Sequence, residues 1–128
     1  MVAAANPVAA EAGAQMLREG GSAVDAAIAV QMVLGLVEPQ SSGLGGGAFL
    51  LHRDGTTVTA LDGRETAPAA ATESLFLRDG KPMVLYDAVV GGRSVGVPGV
   101  LRMLEVAHRR FGKLPWTRLF QPALDLAR

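Results

Sequence analysis

The sequence contains no cysteine. That excludes a disulfide framework, a thiolate nucleophile and any cysteine-ligated metal, and leaves the compartment open. Net charge is also missing: twelve basic residues offset twelve acidic ones, so there is no basic field to hold nucleic acid or an anionic membrane surface. Only two histidines occur, and no metal-ligand spacing is found, so neither a metal nor another cofactor is expected. No apolar run is long enough to cross a bilayer. The longest, Ala23 to Val37, would rise about 22 Å against a hydrocarbon core of about 30 Å, and Asp25 and Gln31 interrupt it. The 128 residues suit one domain that would bury roughly two thirds of the surface of its unfolded chain.

What the chain has in abundance is glycine, concentrated in one stretch. Glu38-Pro39-Gln40-Ser41-Ser42-Gly43-Leu44-Gly45-Gly46-Gly47-Ala48 separates a region that reads as helix from one that reads as strand. Its four glycines lack the Cβ that would bar positive φ or close backbone approach, so the main chain can turn there under another element or around a ligand. Pro39 ends the preceding helix, and Ser41 and Ser42 offer hydroxyls to free backbone groups. The spacing Gly43-x-Gly45-x-x-Ala48 fits the loose dinucleotide fingerprint, but that fingerprint works only after a strand and at the start of a helix, the reverse of the order here. No Lys-Ser or Lys-Thr follows the glycines, which excludes a Walker A loop.

Before this joint, Val2 to Ala5 reads as a short buried strand. Asn6-Pro7 then supplies an N-cap and a first-turn proline for a helix from Pro7 to about Glu19, stopped by Gly20-Gly21. Its stripe of Val8, Ala12 and Met16 beside Ala9, Gly13 and Leu17 is largely of small residues and suits close packing. Ser22 with Asp25 makes a capping-box pattern. It opens the Ala23 to Val37 helix, which is apolar on nearly every side and therefore reads as buried, by this chain or by something larger.

After the joint, Ala48 to Arg53 and Thr56 to Arg64 flank Asp54-Gly55, a pair that favours a type I′ turn and predicts a hairpin. Phe49 and Leu51 fall on one face with Val58 and Ala60, and Leu50 on the other with Thr59 and Leu61. Neither face is polar, so a sheet covered on both sides is expected. His52 has no second ligand in step with it and reads as a surface residue. The hairpin runs out into Leu61-Asp62-Gly63-Arg64-Glu65-Thr66-Ala67-Pro68, where a charged cluster meets a loop. An arginine at a strand end can present its guanidinium as a fixed fork to a carboxylate, which makes Arg64 the candidate ligand-binding residue. Asp62 and Glu65 flank it, and an internal salt bridge is the competing reading.

Ala69 to Met83 reads as surface loop, with a helical turn after Ser74 and a turn at Asp79-Gly80. Gly91 to Gly99 reads as a second tight passage, a short strand entering a helix at Pro98. In that helix Val100, Leu104, Ala107 and Phe111 line one face, while Arg102, Glu105 and Arg109 line a solvated one with His108 at its margin. Gly112 ends it, Pro115 opens the next, and Pro122 should break or kink that one. The sequence stops within a helical pattern that has no C-cap, as a fragment would.

Several of these motifs, taken in order, resemble the start of the large subunit of gamma-glutamyltransferases, also called gamma-glutamyltranspeptidases. They are Asn6-Pro7 with Glu11-Ala12-Gly13, Gly20-Gly21-Ser22-Ala23-Val24-Asp25-Ala26-Ala27, the glycine joint through Phe49, Asp62-Gly63-Arg64-Glu65-Thr66-Ala67-Pro68, and Gly96-Val97-Pro98-Gly99. The likeness runs over essentially the whole chain. It implies an α/β (α+β) fold, part of an N-terminal-nucleophile hydrolase αββα sandwich in which two sheets stack between layers of helices. It implies an enzyme that cuts itself to expose a threonine, takes the γ-glutamyl group of glutathione or a related amide as an acyl-enzyme, and passes it to water or an amino acid. The family's arginine for the substrate α-carboxylate matches Arg64. The implied partners are glutathione or another γ-glutamyl compound, the rest of the large subunit and the small subunit, with self-association expected where the surface they would cover is bare. Residues 1 to 7 show no signal peptide, so the chain is cytoplasmic as written, or periplasmic or extracellular by the resemblance if a leader was removed.

The resemblance also marks what these residues do not supply. The family's threonine nucleophile, the residues that hold the glutamyl amino group and the glycine pair of the oxyanion hole belong to the small subunit and have no match here. An N-terminal nucleophile must be Ser, Thr or Cys with a free amine, whereas Met1 or Val2 leads this sequence. Ser41, Ser42 and Ser94 have no evident His or Lys partner. The expectation is a region that carries part of the acyl-binding site and none of the chemistry. Two other readings stand beside it: a cephalosporin or glutaryl acylase of the same superfamily, and a non-catalytic domain that binds a carboxylate or assembles with a partner chain.

Overall fold

The computed structural model describes residues 1–128. Helix α1 (Pro7–Arg18) starts as the sequence predicts, with the Asn6 side chain accepting from the Val8 N–H at 2.9 Å, and ends at Gly20, whose φ of 87° is the left-handed stop. Helix α2 (Ala23–Val37) opens on a complete capping box between Ser22 and Asp25. The two helices pack closely along their small residues. Ala9, Ala12, Gly13 and Met16 of α1 are buried, and a Cβ at Gly13 would stand 2.6 Å from the Val30 side chain. Val2 to Ala5 is not a strand. A strand needs a neighbour to pair its backbone groups, and Val2 to Ala5 pairs with neither two-stranded sheet; Val2 instead packs on Gly13.

The core forms where α2 meets helix α4 (Val100–Phe111) and the 3-10 turn Trp116–Phe120. Met16, Ile28, Ala29, Met32, Val100, Leu104, Ala107 and Leu119 are its centre. The expected faces of α4 are observed: Val100, Met103, Leu104 and Ala107 are buried, and Glu105 pairs with both Arg102 and Arg109 on the outside. Helix α5 (Gln121–Leu126) follows, with Pro122 in its first turn, where a proline opens a helix and does not break it. Arg118 of the 3-10 turn bonds both carboxylate oxygens of Glu19. That contact holds the Glu19 carboxyl below the usual carboxylate range and ties the C-terminal segment to the end of α1.

His108 is not at a solvated margin. Asp25 is fully buried, and its Oδ2 accepts from Ser22 N at 2.7 Å, Lys113 N at 2.9 Å and Leu114 N at 3.1 Å. His108 Nε2 lies 2.8 Å from the Leu114 carbonyl, which can only accept, so Nε2 donates. The same nitrogen stands 3.7 Å from Asp25 Oδ1. One carboxylate therefore caps α2 and also anchors the Gly112–Pro115 turn 88 residues further along.

Strands β1 (Ala48–Asp54) and β2 (Thr57–Gly63) form the expected antiparallel hairpin, but the turn falls one residue later than Asp54-Gly55. Asp54 pairs with Thr57, and the loop is Gly55-Thr56. Only Gly55 has positive φ, at 56°, as a type II′ turn with glycine first requires. The register shifts by two residues, to Phe49 opposite Asp62 and Leu51 opposite Ala60. A shift of two leaves each side chain on its expected face. Leu50 and Leu61 lie against the core. His52 stacks on Phe111 with ring centroids 3.9 Å apart, which half-buries it. The other face is not covered: Phe49, Leu51 and Val58 are 69%, 75% and 61% exposed.

Residues 69–96 make an excursion with little regular structure. Strands β3 (Leu77–Arg78) and β4 (Lys81–Pro82) pair around Asp79-Gly80, both with positive φ, so the expected turn is a small hairpin. Helix α3 (Leu85–Val89) and a 3-10 turn at Gly92–Ser94 follow. A short strand at the second tight passage is replaced by a single bridge between Thr66 and Val97 at the neck of the excursion. Val84, Leu85, Tyr86 and Val90 are each more than two-thirds exposed or close to it. With the bare hairpin face, this leaves several large apolar side chains in solvent, and clustered apolar exposure of this kind marks interaction surface. The 128-residue region prepared alone should bind a hydrophobic dye strongly and associate in sedimentation at micromolar concentration; a dye-silent monomer would show that this surface is hidden.

Candidate site at the Arg64 loop

Arg64 follows the last residue of β2, and three glycine-rich passages fix its backbone. Asp62 Oδ1 accepts from Arg64 N at 2.8 Å, a local turn that the Asp-Gly-Arg order allows. The glycine joint passes directly beneath. A Cβ on Gly47 would lie 2.5 Å from Glu65 Oε2 and 2.8 Å from the Arg64 Cα, so only glycine fits that approach. None of the joint's four glycines has positive φ; close contact, not turn geometry, is what the structure requires of Gly47. From the other side comes the start of α4. A Cβ on Gly99 would stand 2.3 Å from the Gly63 carbonyl oxygen. Helix α4 has no side-chain cap, and the Gly46 carbonyl accepts from both Gly99 N and Val100 N at 3.2 Å. The joint thus serves as the cap of α4 and the floor of the Arg64 loop. Ser42 steadies it by accepting from the Gln31 side chain at 2.8 Å.

On this rigid base the Arg64 side chain is 59% exposed, and its single carboxylate partner is Glu65, with Nη1 to Oε2 at 3.2 Å. The neighbouring anions expected to neutralise Arg64 therefore divide: Glu65 pairs with it and Asp62 serves the backbone. Glu65 Oε2 is buried and makes no geometrically sound hydrogen bond. Two clefts meet at Arg64. One, of about 250 Å³, runs along α4 past Asp62, Thr66, Pro98 and Arg102. The other, of about 370 Å³, lies against the excursion and is lined by Thr66, Phe76, Arg93, Ser94 and Gly96 among others. The sequence picked out Arg64 but gave no reason to single out Arg93, which sits in a stretch without helical or strand period. Nowhere do three or more His, Asp or Glu side chains converge as metal ligands. Ser41 and Ser94 bond to backbone carbonyls, and neither meets a histidine or lysine.

A helical body with one arginine-bearing hairpin stacked on it is part of the N-terminal-nucleophile hydrolase fold. The sequence profile of gamma-glutamyltranspeptidase matches residues 9–128, and the chain belongs to that family. It is 52% identical over 121 residues to Scoloptoxin SSD14 of Scolopendra dehaani, covering 93% of this chain and 20% of that protein. It is 45% identical over 130 residues to the glutathione hydrolase proenzyme of Bacillus subtilis (strain 168), covering 99% of this chain and 22% of that one. Among solved structures it matches the gamma-glutamyltranspeptidase from Pseudomonas nitroreducens complexed with L-DON, with a TM-score of 0.94 at 38% identity, over 99% of this chain and 38% of that chain. The chain spans about a fifth of the length of the curated relatives it matches.

Proposed function

We propose that this chain is the N-terminal part of the large subunit of an enzyme that transfers the γ-glutamyl group of glutathione or a related amide to water or an amino acid, and that Arg64 holds the α-carboxylate of that group. The observation that carries the assignment is a guanidinium more than half exposed, mounted on a loop locked by close backbone contacts and standing at the junction of two clefts. The backbone contacts fix where the side chain starts, and its planar fork can meet a carboxylate through two parallel N–H donors. The threonine that would carry the acyl group lies outside these residues. The rest of the large subunit and the small subunit are the partners that bring it to Arg64.

Two tests follow. Donor KM in the complete polypeptide, compared between the parent and Arg64→Ala, reads the binding role directly. The 128-residue region by itself should release no product from a chromogenic γ-glutamyl anilide, because no nucleophile and base are joined within it. Turnover that survives purification and is abolished by a substitution within residues 1–128 would overturn the division of labour.

A further inference from the structure

We infer that the cleft between the Arg64 loop and the Gly92–Ser94 turn is a second carboxylate site, in which Arg93 reads an acidic group on the amine side of the donor. The inference rests on the role proposed for Arg64. It starts from the charges on the cleft wall. Two arginines, Arg64 and Arg93, face one glutamate, Glu65, and Glu65 is already spent on Arg64, with its Oε2 buried against Gly47. Arg93 has no carboxylate partner at all. Its Nη1 donates to the Leu75 carbonyl at 2.9 Å and lies 3.3 Å from Met83 Sδ. The neutral carbonyl and the thioether sulfur orient the guanidinium without cancelling its charge, and the three N–H donors on Nε and Nη2 remain for a ligand.

The other cleft offers no such cation. Its second arginine, Arg102, is taken up by Glu105. A ligand with anionic groups at both ends is therefore favoured only on the Arg93 side. The volume of about 370 Å³ lies at the small end of the range for small-molecule sites. For a donor held at Arg64 by its α-carboxylate and lying along this cleft, Arg93 is the one other cation on the wall. The chemical class so selected is a γ-glutamyl peptide with a free C-terminal carboxylate, in preference to a γ-glutamyl derivative of a neutral amine.

The experiment uses the complete polypeptide and two donors, a γ-glutamyl dipeptide and its C-terminal amide. The parent enzyme should show a KM for the acid about three- to tenfold below that for the amide, the scale of one partly exposed charge-assisted bond. Arg93→Gln keeps an N–H for the Leu75 carbonyl and loses the charge. It should raise KM for the acid to the level of the amide and leave the amide unchanged. Arg64→Ala should raise KM for both. If Arg64→Ala raises both and Arg93→Gln leaves the acid-to-amide ratio as in the parent, or raises both KM values equally, the Arg93 site is refuted while the role of Arg64 stands. If Arg64→Ala moves neither, that role fails and this inference fails with it.

Discussion

Arg64→Ala in the complete polypeptide should raise the donor KM by roughly ten- to hundredfold with little change in kcat. The magnitude follows from losing a hydrogen-bonded charge pair, on the order of 1.5 to 3 kcal/mol. Arg64→Lys keeps the positive charge but replaces a planar fork with a single ammonium, so its KM should fall between those of the parent and the alanine variant. On the role proposed for Arg64 the effect belongs on KM, because a carboxylate bound there would be remote from the amide that breaks and would be held alike in ground and transition states. Self-cleavage and folding should be spared. The one ion pair lost within the protein joins adjacent residues, Arg64 and Glu65, with the arginine more than half exposed, and pairs of that kind stabilise little. If Arg64 were instead a structural residue, the same substitution would lower the yield of processed subunits and leave donor KM normal in whatever enzyme matures.

The largest effect on stability is expected at Asp25. Asp25→Ala removes the acceptor of three backbone N–H groups, those of Ser22, Lys113 and Leu114, in a site with no solvent access. Each orphaned buried donor costs about 1 to 3 kcal/mol, and the lost cap of α2 adds about 1. Relaxation of the Gly112–Pro115 turn would recover part of this, so the net destabilisation should be about 3 to 5 kcal/mol, a large share of the stability of an ordinary domain. Asp25→Asn retains one acceptor oxygen of the same shape and should cost clearly less. Unfolding midpoints in urea for the parent and both variants decide the matter. An alanine variant within about 1 kcal/mol of the parent would mean that water or a rearranged turn satisfies the three donors, and that Asp25 does not join the two ends of the chain.

The local elements of this protein were legible because their signals are local. Asn6-Pro7, the Ser22–Asp25 box, Gly20 and Gly112 act within one turn of the backbone, and α1, α2 and α4 begin and end where those residues put them. The two faces of the β1–β2 hairpin were equally legible, since alternation survives even a two-residue shift of register. The ordered motifs also carried the family, and with it the attention to Arg64. What the sequence could not determine was every feature that depends on a distant neighbour. Val2 to Ala5 has strand composition but no strand beside it. Asp25 reads as an ordinary cap until Lys113 and Leu114 arrive at the same oxygen. The glycine joint reads as a place for positive φ or for close backbone approach, and only the fold decides for the second, with Gly47 against Arg64 and the Gly46 carbonyl as the cap of α4. The pairing of Arg64 and Arg93 across one cleft likewise comes from the Thr66–Val97 bridge, which closes the excursion and brings together residues that no local propensity relates.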